Sequence, residues 1–345
     1  MEEEIKKLIK IWLSITASLC YCYFIPSRIP KGKYRLLSLL PILSLFTILP
    51  LHLTCVFPIA AITGITWLAN LKLLLFSFDL GPLSSNPPKS LPFFITFACL
   101  PTRITNQNHE SQIPTKPRNL ALSLAIEIVI LSLLMGVLHD YRERLIQHGI
   151  VLVLLYCVVV FLLVDILFAF SNVGVLLGRE IEPPSDEPYL ATSLQDFWGR
   201  RWNLTVTNIM RHTVYKPVWA GTVGVLGRQW AQLLGVLSTF LISGLMHELL
   251  LFYVMHVSPT WEITGFFVLH GVGVAAEKGV ERALPGRWQL HWAVSRPLTV
   301  GFVVATSFWL FFPPLMRNNV DARAIYEFKM FMDFMKMKRT HKLMS

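Results

Sequence analysis

A histidine inside a long apolar run is the first residue whose type and position could support chemistry. His247 lies near the C-terminal side of the charge-free run 229–247. Ser243 and Gly244 precede it by four and three residues, so the three share one face of a helix. These small residues leave room for a substrate to approach the imidazole, which can accept a proton near neutral pH. A packing histidine is the alternative that this stretch alone leaves open.

The second candidate segment runs from Ser193 to Asn203 and reads Ser-Leu-Gln-Asp-Phe-Trp-Gly-Arg-Arg-Trp-Asn. Ser193 followed by Asp196 has the spacing of a capping box, which predicts the start of a helix. The segment joins aromatic residues typical of a membrane interface to arginines that can hold an anionic ligand. Its aromatic and basic candidates, with two basic residues that follow, are Phe197, Trp198, Arg200, Arg201, Trp202, Arg211 and Lys216. Both an interfacial helix and a ligand site remain open.

The composition places most of the chain in lipid. Of its 345 residues, 54% are hydrophobic and only 15% are charged, against about 25% in soluble domains. The net charge of +10 comes from short basic clusters between apolar runs. Such clusters suit anionic lipid headgroups, and no continuous basic face remains for a nucleic acid. Disordered, collagen-like and nucleic-acid-binding classes are therefore excluded.

The apolar runs predict an all-α multi-pass membrane protein with eight spans, give or take one, since about 20 apolar residues cross a bilayer. The predicted spans are 8–25, 36–54, 57–77, 119–138, 149–171, 229–255, 261–281 and 297–316. The piece 91–100 is too short to cross and is expected to re-enter or lie in the interface. Lys72, Glu277 and Lys278 fall near span ends, where snorkelling explains them.

Lys and Arg between the spans predict the orientation, because cytosolic loops are rich in them. They are concentrated in 26–35, 78–118, 172–228 and 282–296, which we therefore predict to be cytosolic. The chain is expected to be one membrane-embedded domain, 1–345. Its two special regions are the cytosolic or interfacial loop 172–228 and the basic C-terminal tail 317–345. That tail falls on the non-cytosolic side with eight spans, unless an extra crossing precedes it.

The two candidate segments together resemble the membrane-bound O-acyltransferase superfamily and, more narrowly, its plant wax synthase branch, the long-chain-alcohol O-fatty-acyltransferases. Three stretches carry the resemblance, which covers nearly the whole chain: Met1-Glu-Glu-Glu-Ile-Lys with Tyr21-Cys-Tyr through Arg35-Leu-Leu-Ser, Ser193 to Asn203, and the span of His247. The pattern Phe-Trp-x-Arg-x-Trp-Asn combined with the downstream histidine is fairly specific, whereas either alone is not.

The resemblance implies transfer of a fatty acyl group from acyl-CoA to a lipid alcohol, most simply a long-chain fatty alcohol. His247 would be the general base and Asn203 would orient a reactant or stabilise the oxyanion. Substrate contacts are expected from Trp198, Arg200, Arg201, Trp202, Arg211, Ser243 and Gly244. Acyl-CoA is a co-substrate, and the reaction needs no bound cofactor and no metal. The endoplasmic reticulum is the expected membrane.

Two alternatives stay open at this point. A sterol acceptor is the alternative within the enzyme class. A transport or scaffold protein that uses Glu127 and Asp165 as polar groups inside the membrane is the alternative outside it. A zinc protease is excluded, because the motif His-Glu-x-x-His would need a histidine where Leu251 stands.

Overall fold

The computed structural model describes residues 2–84, 90–100, 120–170, 185–283 and 290–344. Within these ranges the chain forms helices joined by turns, without β-strands. The helices are α1 Glu2–Phe24, α2 Lys33–Ile48, α3 Val56–Phe76, α4 Leu91–Cys99, α5 Leu120–Ile146, α6 Gly149–Phe170, α7 Leu194–Asp196, α8 Leu204–Met210, α9 Lys216–Met255, α10 Glu262–Ala283, α11 Trp292–Thr306, α12 Phe312–Arg317 and α13 Val320–Met344. Three π-helical turns are Phe197–Arg201, Arg211–Tyr215 and Ser307–Phe311.

Seven helical stretches of the described chain are long and apolar enough to cross a membrane. They are Glu2–Arg28, Lys33–His52, Val56–Phe76, Leu122–Ile146, Gly149–Leu167, Leu204–Met255 and Trp292–Arg317. Each contains most of one predicted span, so the predicted all-α multi-pass membrane fold is confirmed.

The remaining predicted span, 261–281, forms α10, which is not among these seven. It runs antiparallel to α9, since Gly244 lies against Thr264 and Gly271 lies against Phe240. Its 22 residues give a length of about 33 Å, close to the thickness of the hydrocarbon core. Its polar residues Thr264, His270 and Glu277 are accommodated because they have partners within the protein, as described for the site below.

A kink divides α9 near the predicted start of its span at 229. Gly227 has φ 75° and ψ 167°, which interrupts the helix between two helical segments. A residue with a side chain rarely adopts this backbone conformation, so glycine suits the position. The segment before the kink exposes apolar side chains such as Val225, and the segment after it carries His247.

The short helix α4 packs on the ends of α1 and α3. Phe94 contacts Tyr23 and Phe76, with ring centroids 5.6 Å apart in both pairs. Lys72 of α3 is fully buried and donates to the carbonyls of Phe97, at 2.6 Å, and Leu100. The expectation that Lys72 snorkels to water is therefore wrong: its ammonium group holds the C-terminal end of α4, whose carbonyls lack partners within the helix.

Residues near the start of α1 and the start of α13 hold the loop between α2 and α3. The predicted break is present, with a 3-10 turn at Leu49–His52. Glu4 accepts from the Thr54 amide and hydroxyl, and Arg323 of α13 donates to the Thr54 carbonyl at 2.9 Å. Glu327 accepts from the first two amides of α3. The start of the basic C-terminal segment therefore lies at the same end of the bundle as the start of α1.

Candidate active site

His247 has a defined hydrogen-bonding state at one of its two ring nitrogens. Its Nδ1 lies 2.7 Å from the carbonyl oxygen of Ser243, one turn earlier in α9. A carbonyl can only accept, so Nδ1 carries the proton in the neutral imidazole and Nε2 keeps its lone pair. The side chain is half-buried. Nε2 is therefore the atom of this residue that can accept a proton from a substrate.

Aromatic rings flank the His247 imidazole. Phe267 of α10 lies 4.4 Å away between centroids, inclined by 34°, and Trp67 of α3 lies 5.9 Å away in an edge-on arrangement. The imidazole thus lies between two helices of the bundle. Apolar walls of this kind hold the ring in one orientation and provide a lining suited to an acyl chain.

Gly244 allows α9 and α10 to approach each other beside His247. A Cβ atom on Gly244 would lie 3.0 Å from Thr264 Cα and 3.3 Å from Phe267 Cβ. In this structure Gly244 therefore makes a helix–helix contact rather than lining open space. Ser243 contributes its carbonyl to His247. Direct contacts of Ser243 and Gly244 with a substrate stay predictions.

The predicted helix start at Ser193 is confirmed. Ser193 Oγ accepts from the Asp196 amide at 3.0 Å, and the Asp196 carboxylate accepts from the Thr192 amide. The chain then widens into the π-helical turn Phe197–Arg201 and leaves helical geometry at Trp202. Phe197 is buried, and the ring of Trp202 stacks on it with centroids 5.6 Å apart. The aromatic residues pack among themselves and on the bundle instead of all lying on one face of a regular helix.

Asn203 begins helix α8 and has a left-handed backbone conformation, with φ 38° and ψ 64°. Asparagine tolerates this conformation better than most residues. Its Oδ1 accepts from the Val206 amide at 3.3 Å, so the side-chain carbonyl caps the helix. The Nδ2 group is the part of the side chain that remains to donate a hydrogen bond to a reactant.

An apolar cluster connects the helix begun by Asn203 to the helix of His247. Val206, Ile209 and Met210 of α8 pack with Leu68 of α3 and Met246 of α9. Met246 immediately precedes His247. The two predicted catalytic residues therefore belong to helices that share one packed cluster, although they are far apart in sequence.

Trp198 is held by a hydrogen-bonded chain that sequence reasoning missed. Its indole Nε1 donates to Nδ1 of His270 at 2.9 Å, and Nε2 of His270 lies 2.9 Å from Thr306 Oγ1. An indole can only donate, so His270 Nδ1 must accept and its Nε2–H donates to Thr306. The Thr306 hydroxyl in turn donates to the Phe302 carbonyl at 2.8 Å. Every polar atom in this chain has a partner, as burial in the bundle requires.

One face of α10 docks the whole motif segment. Glu277 accepts from the amides of Leu194 and Gln195 at 2.8 and 2.9 Å, which corrects its interpretation as a snorkelling residue. A Cβ on Gly273 would lie 2.6 Å from Leu194 Cδ1. With His270, these residues are spaced i, i+3 and i+7, the periodicity of one helix face. This helical spacing is the feature of the sequence from which their shared face could have been predicted.

The predicted arginines divide into one structural residue and two free ones. Arg201 Nε donates to Asp196 at 2.8 Å and its Nη1 reaches the carbonyls of Asp186 and Glu187. Arg201 therefore joins the motif to the preceding loop. Arg200 and Arg211 are exposed. Arg211 lies within electrostatic range of Lys278, which is also close to Arg282.

Glu248, the neighbour of His247, has a structural role. It is buried, and its carboxylate accepts from the amides of Trp261 and Thr264 at 2.8 and 3.1 Å. These amides belong to the start of α10, where a carboxylate compensates for donors without helical partners. Glu248 therefore fixes α10 against α9 and leaves the chemistry to His247.

The fold and site define a multi-pass helical membrane protein with a proton acceptor between apolar helices and exposed cations at one end of the bundle. Comparison with known proteins identifies the class. A model of the membrane bound O-acyl transferase family matches residues 181–269, which include both Asn203 and His247.

The chain is similar to curated plant enzymes over nearly its whole length. It is 46% identical to the probable long-chain-alcohol O-fatty-acyltransferase 1 of Arabidopsis thaliana, covering 98% of this chain and 99% of the relative. It is 41% identical to the long-chain-alcohol O-fatty-acyltransferase of Simmondsia chinensis, over 98% and 97%. It is 39% identical to the acyl-CoA–sterol O-acyltransferase 1 of Arabidopsis thaliana, over 93% of each.

The chain belongs to the membrane bound O-acyl transferase family, in the group that includes the long-chain-alcohol O-fatty-acyltransferases, or wax synthases. It is an acyl-CoA-dependent O-acyltransferase. This finding decides between the two classes left open by the sequence, in favour of the enzyme over the transport or scaffold protein.

Proposed function

We propose that this enzyme transfers a fatty acyl group from acyl-CoA to a long-chain fatty alcohol and so forms a wax ester, with His247 as general base. The observation that carries the proposal is the hydrogen bond from His247 Nδ1 to the Ser243 carbonyl. It leaves Nε2 as a proton acceptor between apolar walls. The names of the relatives support the acceptor class, since two of the three described above act on long-chain alcohols.

The reaction requires one proton acceptor and one leaving group. Nε2 of His247 takes the hydroxyl proton as the alcohol oxygen attacks the thioester carbonyl carbon. The carbonyl oxygen becomes an oxyanion, and a hydrogen bond from Asn203 Nδ2 stabilises it. Such donors contribute about 2.7–4 kcal/mol in comparable sites. The C–S bond then breaks, CoA leaves as a thiolate, and the imidazolium returns the proton to it.

The phosphates of CoA would meet the cations exposed near the motif. Arg200 and Arg211 are free to bind them, and Lys278 lies within electrostatic range of Arg211, beside both Arg282 and the carboxylate of Glu281. Arginine binds phosphate oxygens through two donors at once. Arg201 is engaged with Asp196 and is therefore proposed to support this surface rather than to bind CoA.

The acyl chain and the alcohol would occupy the space between the helices. Trp67 and Phe267 are apolar neighbours of His247 that suit both chains. Both lipid substrates dissolve in the bilayer and the donor is cytosolic, so the endoplasmic reticulum is the proposed membrane. The similarity to a sterol O-acyltransferase supports a sterol as the second candidate acceptor.

The test is acyl transfer in microsomes of a host that lacks this activity. Labelled palmitoyl-CoA is supplied with hexadecanol or a sterol, and the wild type is compared with His247→Ala. His139→Ala is the matched control, because this exposed histidine belongs to α5 and pairs with Lys329 of α13. We expect wax ester from the wild type and from His139→Ala, and a loss of about 10²–10⁴-fold in His247→Ala.

The other outcomes separate the parts of the proposal. Sterol ester in place of wax ester would retain the mechanism and replace the acceptor. Equal product from His247→Ala and the wild type would remove His247 from catalysis. Absence of both esters from a well-expressed wild type would contradict the proposed reaction.

A further inference from the structure

His270 lies 23 residues after His247, on the next helix, and is more deeply buried, with 0% of its surface exposed. Burying an imidazole is costly unless both nitrogens have partners. Here both do: Trp198 donates to Nδ1 and Thr306 accepts from Nε2, each at 2.9 Å. The chain of bonds therefore fixes the tautomer, and it joins the motif segment, α10 and α11.

A second set of contacts leads from this histidine to the proposed base. The Trp198 ring packs edge-on against His270, with centroids 5.4 Å apart, and against Phe267 at 5.7 Å. Phe267 in turn lies 4.4 Å from the His247 ring. The orientation of Trp198 thus determines the space available to Phe267, and Phe267 forms one wall of the His247 imidazole.

We propose that His270 is a positioning residue of the acyl-transfer site, which holds the Trp198 indole so that Phe267 stays packed against His247. This inference rests on the proposed function of His247. His270 touches no reacting atom. Loss of its hydrogen bond frees the indole to rotate, and the imidazole of His247 loses its fixed orientation. A misplacement of about 1 Å at a reacting group costs on the order of 10²-fold in rate.

Asparagine is the conservative replacement, because its Oδ1 stands near the position of imidazole Nδ1 and can accept from the indole. We expect His270→Leu to lower kcat about 10- to 100-fold with little change in the KM for palmitoyl-CoA. We expect His270→Asn to recover most of the lost rate. Thr306→Val removes the acceptor of His270 Nε2–H without changing the side-chain shape, and we expect a smaller fall in kcat.

A double-mutant cycle with Trp198→Phe tests whether the two residues act through one bond. Trp198→Phe removes the indole donor, so adding His270→Leu to it should lower kcat by less than His270→Leu does in the wild type. Thermal unfolding in detergent is measured for each variant, and only variants that retain the wild-type transition enter the comparison. His270→Asn and Thr306→Val keep the test valid if His270→Leu does not fold.

Three results would overturn the inference: wild-type kcat in folded His270→Leu, no recovery in folded His270→Asn, or independent effects in the cycle. A failure of the proposed function is distinguishable, because His247→Ala would then keep its activity whatever His270 does. If His247→Ala is inactive and His270→Leu is normal, only the positioning role fails.

Discussion

The imidazole of His247 and the carbonyl of Ser243 are joined within a single turn of α9, at 2.7 Å. The bond uses only backbone and ring atoms of one helix and fixes the tautomer, while the packed ring of Phe267 restrains the orientation of the imidazole. Many catalytic histidines are oriented by a carboxylate. Here the neighbouring carboxylate, Glu248, is committed to the start of α10, and a backbone carbonyl of α9 takes the place of a carboxylate as the partner of the imidazole.

Asn203 offers a substitution that separates its two roles. Asn203→Asp keeps an oxygen to cap α8 but removes the Nδ2 donor. We expect an unchanged or slightly higher unfolding temperature and a fall in kcat of about 10²–10³-fold, because the oxyanion loses its donor and meets a carboxylate. Kinetics and thermal unfolding of the same preparation check this. Asn203→Ala, which loses cap and donor together, should lose both stability and rate. A fully active Asn203→Asp would refute the donor role.

Gly244 is predicted to be intolerant of even one added carbon. Gly244→Ala places a Cβ 3.0 Å from Thr264 Cα, and backbone cannot give way as a flexible side chain can. We expect a loss of about 1–3 kcal/mol in unfolding free energy, with reduced activity as α9 and α10 move apart. Gly221→Ala in the same helix is the control, since nothing lies within 4 Å of its added Cβ. Equal stability of the two variants would contradict the packing role.

The neighbouring arginines should behave differently despite their shared charge. Arg201→Ala breaks the contact with Asp196 and is expected to lower stability by about 1.5–3 kcal/mol. Arg200→Ala removes an exposed charge and should raise the KM for acyl-CoA, with stability unchanged. The salt dependence of KM provides a further check, because screening weakens phosphate contacts and should reduce the difference from wild type. A stability loss in Arg200→Ala with normal KM would reverse these assignments.

Glu277 is expected to matter for the docking of the motif segment. Glu277→Gln retains one acceptor oxygen but turns an amide donor toward a backbone amide, so we expect a loss of about 1–3 kcal/mol. Protease sensitivity of the segment around Leu194 should rise in parallel. Glu281→Gln, one turn further along α10 and exposed, makes the same change of charge and should leave both measurements unaltered.

Glu327 gives a pH dependence outside the membrane spans. Burial raises the pKa of this carboxyl, and the charge of Glu4 raises it further. Hydrogen bonds from the amides of Val56 and Phe57 and the charge of Arg323 lower the pKa, but by less. A raised folded-state pKa means that the folded state binds the proton more tightly. The stabilising contribution of Glu327 is then present below about pH 4.5, and it is lost as the pH rises through the pKa of the carboxyl in the folded state.

Glutamine matches the neutral form of Glu327 and does not titrate. The unfolding temperature of wild type should therefore fall relative to Glu327→Gln between about pH 4 and 7, as the carboxyl ionises. Thermal unfolding in detergent across this range provides the measurement. A relative gain of the wild type on raising the pH would show that the helix amides outweigh burial.

The sequence predicted the parts of the fold that depend on local composition. The apolar runs located seven stretches that can cross a membrane, and Ser193 located the start of the motif helix. The resemblance to a family identified His247 and Asn203, because a family motif is a pattern of residue types in a fixed order along the chain. The membership is confirmed, while their catalytic roles stay predictions.

The sequence could not predict which polar group meets which. Lys72 and Glu277 were interpreted as snorkelling residues because a position near a span end is compatible with water. Their actual partners, the α4 carbonyls and the amides at Leu194, lie on segments far away along the chain. His270 was missed for the same reason: its partners belong to the motif segment and to α11, and only tertiary packing brings them together.

The clasp formed by Glu4, Arg323 and Glu327 on the loop at Thr54 has a consequence for how the enzyme can be labelled. Residues near the start of α1 and the start of α13 meet at one end of the bundle. The motif segment lies at the opposite end, where α9 begins and α10 ends. An epitope fused before Glu4, or inserted at the exposed Asn319 just before α13, would thus emerge on the same face of the bilayer, opposite the proposed entrance for acyl-CoA. In sealed vesicles an added protease would cleave both tags or neither, and neither tag would block the entry of acyl-CoA.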